Sequence, residues 1–165
     1  ETFGNILAYW LEGILNTTPE YCPHYDDLSS RQEIFKKYPL AIVNLKKLAG
    51  GNSADWNAIW KYAKRDKVTL QTQIRKVLKP NIIVCGGSND DNDDYRKVIT
   101  IALDVIFPEI KNGFKQINNW CFYNSEADIL LIDSYHPTSR MRNQYKVEEL
   151  IDNFHKSILS INYSH

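Results

Sequence analysis

The sequence predicts an α/β protein with three layers, α/β/α, in which a short, mostly parallel sheet is flanked by helices. Three observations carry this expectation. Short apolar runs at 40–45, 81–85 and 129–133 have the composition of strands buried on both faces. The segments between them place apolar residues at helical spacing. The two kinds of segment alternate along the chain, as they do where helices cross over between parallel strands.

From Phe3 to Asn16, the residues Phe3, Ile6, Leu7, Trp10, Leu11, Ile14 and Leu15 trace one broad apolar helical face, which Thr17-Thr18-Pro19 ends. Ser30 and Glu33 stand at capping-box spacing, so a short helix is expected to about Tyr38. Pro39 then opens a predicted buried strand, Leu40-Ala41-Ile42-Val43-Asn44-Leu45. After Gly50-Gly51, Asn52 or Ser53 is expected to cap a helix with Trp56, Ile59, Trp60 and Ala63 inside. A second helix buries Leu70, Ile74 and Leu78 and stops before Pro80. The next strand is Asn81 to Cys85, ending at Gly86-Gly87.

A further helix buries Val98, Ile101, Ala102, Val105 and Ile106 and stops near Pro108. Trp120 to Tyr123 reads as a strand near an edge, and Ile129 to Asp133 as the strongest core strand. The loop Ser134 to Arg140 follows, and then a helix from about Gln144 to Leu159 with Val147, Leu150, Ile151, Phe154 and Ile158 buried. There is no internal repeat and no dividing linker, so residues 1–165 are expected to form one domain. The start at Glu1 rather than Met, with a helix beginning almost at once, leaves room for upstream residues.

Composition narrows the function. At 165 residues, 43% apolar and 12% aromatic, the chain can build a core and is too apolar for disorder. No apolar run approaches the ~18 residues of a membrane span, and no secretory leader pattern opens the sequence. Twenty basic residues balance twenty acidic ones, so nucleic acid has to be held by a local patch rather than by a global field. Cys22, Cys85 and Cys121 are an odd set without metal spacing, which suits free thiols in a reducing cytoplasm, with Cys85 buried in its strand.

Ligands of open parallel sheets bind beyond the carboxyl ends of the strands. Asn44 near the end of the first strand offers donors and an acceptor, as the edge of a nucleobase requires, or it satisfies loose backbone. Gly86-Gly87 allows a sharp turn or a close ligand approach, without any phosphate-binding fingerprint. In His136-Pro137-Thr138-Ser139-Arg140 the proline biases the histidine toward an extended shape. The hydroxyls and amides of Thr138 and Ser139, with Arg140 and Arg142, can grip a phosphate. The bland alternative is a polar loop with an incidental histidine.

These three features, in this order, resemble the uracil-DNA glycosylase superfamily over residues 40 to 140, where the histidine loop usually reads His-Pro-Ser. The resemblance implies that fold, a DNA partner, no cofactor, and N-glycosidic bond hydrolysis in DNA repair. It implies that Asn44 reads the pyrimidine edge, with Gly86 and Gly87 at the base, and that His136 donates to the base oxygen that becomes negative. Lys46, Lys47, Thr138 and Ser139 would meet the DNA backbone, and Arg140 or Met141 would fill the gap left by a flipped base. The family's Gly-rich, water-activating motif is not found in residues 1–39, so these residues support base recognition better than hydrolysis. The alternative is a noncatalytic binding or assembly module whose strand edge holds a protein partner or small anion.

Other patterns point less far. Lys61, Lys64, Arg65, Lys67, Arg75, Lys76 and Lys79 form a basic stretch with Asp66, a candidate phosphate face or two solvated helix faces. Asp90, Asp91, Asp93 and Asp94 lack the glycine and closing glutamate of a calcium loop and read as a solvated segment. His24, His136, His155 and His165 have no HExxH or other local ligand pair, so no metal site is expected, and GxSxG is missing.

Overall fold

The computed structural model describes residues 2–29, 32–45, 55–87 and 98–162. Its architecture is mixed α/β: helices α1 (Thr2–Asn16), α2 (Ile34–Lys37), α3 (Trp56–Arg65) and α4 (Lys67–Gln71) precede strand β1 (Ile82–Gly86). Helix α5 (Val98–Ile101), strands β2 (Lys115–Gln116), β3 (Cys121–Asn124) and β4 (Ile129–Ser134), and helix α6 (Asn143–Asn162) follow.

The four strands lie in the order β1-β4-β3-β2. Only β1 and β4 are parallel, in register from Ile82 opposite Leu130 to Gly86 opposite Ser134. The pairs β3/β4 and β2/β3 are antiparallel, so the expectation of a mostly parallel sheet is corrected to a mixed one. The reason is chain length, since residues 125–128 are too few for the crossover that a parallel pair needs. Asn124 shapes that turn: its Oδ1 accepts from the amides of Glu126 and Ala127, and Asp128 adopts φ 51°.

Strand β4 is apolar from Ile129 to Ile132 because both its faces are covered there. Leu130 and Ile132 join Ile6 and Trp10 of α1 and Val147, Leu150, Ile151 and Phe154 of α6 in one cluster. Leu131, between them, joins Cys85, Ile99, Ala102, Ile106 and Phe107 in another. The predicted helical stripes of α1 and α6 are confirmed in outline, although Leu15 is exposed. Helices α4 and α5 each widen into a π-helical stretch, Thr72–Leu78 and Ala102–Ile106. Gln71 Nε2 donates to Val105 O at 2.9 Å, so a side chain of one helix satisfies a carbonyl in the widened turns of the other.

Three local expectations change. Residues 40–45 form no strand: Val43 and Leu45 pack inward, while Ile42 is 58% exposed, and no ladder partner is taken. Asp55, not Asn52 or Ser53, caps α3 by accepting from the Ala58 amide; positions 52 and 53 lie outside the described residues, as does Ser30 of the expected capping box. Leu78, expected inside its helix, is 38% exposed. Strand β3 lies near an edge as expected, with the two-residue β2 on its outer side. Cys22, Cys85 and Cys121 are free thiols, and Cys85 is buried in β1 as expected. Among the described residues no helix is long and apolar enough to cross a membrane.

Candidate functional site

The carboxyl ends of β1 and β4 lie side by side, and two of the three sequence features meet there. The Gly87 amide continues the ladder, donating to Ser134 O at 3.0 Å. A methyl group on Gly86 would stand 3.5 Å from Pro137 Cδ and 3.6 Å from Tyr135 O, so the strand end lies against the His136-Pro137 loop. Phe3 of α1 approaches the same loop, its ring centroid 6.1 Å from that of His136.

The loop is built around the histidine ring. The Thr138 amide donates to His136 Nδ1 at 3.2 Å, and the Thr138 hydroxyl lies 2.8 Å from the same nitrogen. An N–H aimed at Nδ1 makes that atom an acceptor, which places the proton of the neutral ring on Nε2. The Ser139 amide closes the turn on His136 O at 2.8 Å. His136 is exposed at its edge, yet partial burial, and after it the charge of Lys146, holds its pKa below the ordinary 6.5. The site therefore presents a neutral N–H donor.

These bonds correct one expectation. The amides of Thr138 and Ser139 were expected to face a phosphate, but both are spent on His136. Asn44 is exposed at the end of the unpaired segment, and the side-chain hydrogen bonds of His136 among the described residues go to Thr138 instead. Lys46 and Lys47 lie outside the described residues, as does the acidic stretch from Asp90 to Asp94. Arg140 and Met141 are exposed beside the loop, as a backbone contact or a wedge requires.

Sequence reasoning missed two groups. Lys146, in the first turns of α6, is 1% exposed, and its Nζ donates to Pro137 O at 2.7 Å and Ser139 O at 3.2 Å. Its signal was a lysine one residue before Val147 and four before Leu150, on the buried stripe of α6. The second group is an aromatic row: Tyr135 lies 5.2 Å from Trp120 and 5.8 Å from Tyr145, centroid to centroid. Only the fold brings those three together.

Elsewhere the surface is quieter. Three of the seven basic residues of that stretch are engaged: Arg65 pairs with Asp66 at 2.7 Å, Arg75 with Glu109 at 2.6 Å, and Lys64 sits over the Trp60 ring. A cleft of about 330 Å³ lies at the opposite, amino ends of β1 and β4, beside Lys79, Asn81 and Ile129. Among the described residues no group of three or more His, Cys, Asp or Glu is placed to hold a metal. No family model, curated protein or solved structure matches the chain.

Proposed function

We propose that this chain is a uracil-DNA glycosylase-like protein that recognises a base in DNA at the shared end of β1 and β4. The observation that supports this reading is the contact of the Gly86 strand end with the His136-Pro137 loop, in which His136 Nδ1 is occupied from within and Nε2–H is left to donate. A neutral imidazole in that state can donate to a base oxygen as negative charge develops there, which is the electrostatic need of N-glycosidic bond cleavage. Arg140 and Met141 are available to the DNA backbone and to the gap left by an extruded base. Asn44, Lys46 and Lys47 join the proposal as readers of the base edge and backbone.

The three-layer arrangement and the likeness to that superfamily's fold belong to the same proposal. Its support is that alternate residues of β4 feed two separate clusters, Leu130 and Ile132 in one and Leu131 in the other. A DNA-repair role and a cytoplasmic location follow from the reading.

The direct test follows release of free base from uracil-containing single- and double-stranded DNA. The proposal expects release by the wild type and a loss of about 10²–10³-fold in His136→Ala, the scale of removing one preorganised donor. Equal rates in the two proteins, or no release by the wild type, would remove His136 from a cleavage mechanism.

A further inference from the structure

Lys146 is an unusual residue to find at 1% exposure, since an ammonium loses its hydration there and among the described residues takes carbonyl partners in place of a carboxylate. Both partners belong to the histidine loop, and they flank Thr138: Pro137 O on one side and Ser139 O on the other. Thr138 is the residue whose amide and hydroxyl meet His136 Nδ1. The chain of contacts therefore runs from the ammonium through two carbonyls to the turn, and from the turn to the ring. Trp10 of α1 holds the other end of the lysine, its Nε1 donating to Lys146 O at 3.3 Å.

We propose that Lys146 is the positioning residue of this edge: by gripping Pro137 O and Ser139 O it fixes the turn whose Thr138 amide selects the His136 tautomer and aims Nε2–H outward. The consequence for base recognition rests on the function proposed above, whereas the positioning itself does not. A carbonyl pair held by a full charge is stiffer than one held by water, because charge-assisted bonds are shorter and stronger. The same charge opposes protonation of the ring, so geometry and electrostatics favour the same neutral donor. Of the elements around the loop, α1 presents Phe3, β1 its glycine end, and β4 carries the carboxylate Asp133, whose charge acts on Cys85 and Cys121. On the loop itself the charged residues are Arg140 and Arg142, both exposed.

The test reads the histidine ring directly. Two-bond ¹H–¹⁵N correlation spectra of the imidazole nitrogens report tautomer and titration midpoint, and comparison with His136→Ala assigns the signal. The wild type is expected to show the Nε2–H tautomer and a midpoint below that of an unperturbed histidine. Lys146→Gln and Lys146→Met are expected to raise the midpoint and mix the tautomers while amide dispersion stays native. A ring unchanged in both variants overturns the proposal. Should neither variant fold, the wild type decides: Lys146 ammonium protons in slow exchange support it, and exchange as fast as that of surface lysines overturns it. A ring that responds as expected in a protein releasing no base would sustain the positioning and sink the glycosylase reading. An unresponsive ring with His136-dependent base release would do the reverse.

Discussion

The Gly87 amide donates to Ser134 O at 3.0 Å from a backbone held at φ +122°, so the parallel β1/β4 ladder gains one more bond at the point where the chain turns away. An L side chain rarely adopts that conformation, and a Cβ there would also stand 3.3 Å from Trp56 Cη2. Gly87→Ala is therefore expected to cost about 1–3 kcal/mol. Gly86→Ala, whose new methyl finds ordinary contact distances, should stay within about 1 kcal/mol of wild type. Urea denaturation of the two variants checks this, and similar losses would contradict the assignment of strain to Gly87 alone.

A second prediction concerns the seam between α1 and α6. A methyl on Gly13 would overlap the Cδ1 of the fully buried Ile151 and stand 2.6 Å from its Cγ1. Gly13→Ala should lose about 1–3 kcal/mol through overpacking. Combining it with Ile151→Val should recover part of that loss, so the double-mutant cycle should give a favourable coupling of about 0.5 kcal/mol or more. Strict additivity would show that the helices separate freely at this point.

How much of this was legible in the sequence depends on how local the cause is. Strands β1 and β4, and the helical stripes of α1 and α6, were readable because burial on one or two faces leaves its period in the residues themselves. The direction of β3 was also available: five residues separate Tyr123 from Ile129, enough for a hairpin and not for a crossover. Residues 40–45 failed as a strand because pairing is a property of two segments, and apolar content in one cannot supply the other. At the site, the glycine pair and the histidine loop were found by their backbone chemistry. That Thr138 serves the histidine, and that Lys146 reaches the loop from α6, depend on tertiary contacts that no spacing rule encodes.

The turn between β3 and β4 gives a third prediction. Asn124 is 2% exposed, and its side chain accepts from Glu126 and Ala127 amides while donating to Ile110 O at 3.2 Å. Asn124→Ala should cost about 2 kcal/mol or more, because the partners lose their bonds in a partly buried place. Asn124→Asp keeps the two accepted bonds but turns an oxygen toward Ile110 O, so it should rescue only part of the loss. Thermal denaturation of both variants tests this, and an undamaged Asn124→Ala would refute it.

The depressed pKa of His136 makes stability depend on pH. Its folded value lies below the ordinary 6.5, so between the two values the unfolded chain binds more protons than the folded one. This contribution to stability is complete above about pH 6.5 and declines as pH falls toward the folded value. Denaturation at pH 7.5 and at pH 5.5 should show a larger drop for the wild type than for His136→Gln. An equal drop would mean that the ring is not held neutral.

On the proposed function, the strand ends formed by Gly86 and Gly87, together with His136, receive a nucleobase. The most direct measurement titrates a uracil-containing single-stranded oligonucleotide into the ¹⁵N-labelled protein and follows the Gly86 and Gly87 amides and the His136 ring. These signals are expected to shift together and saturate with one binding curve, and the shifts to shrink as salt is raised. Shifts confined to another face, or an unmoved His136 ring at saturation, would contradict that function.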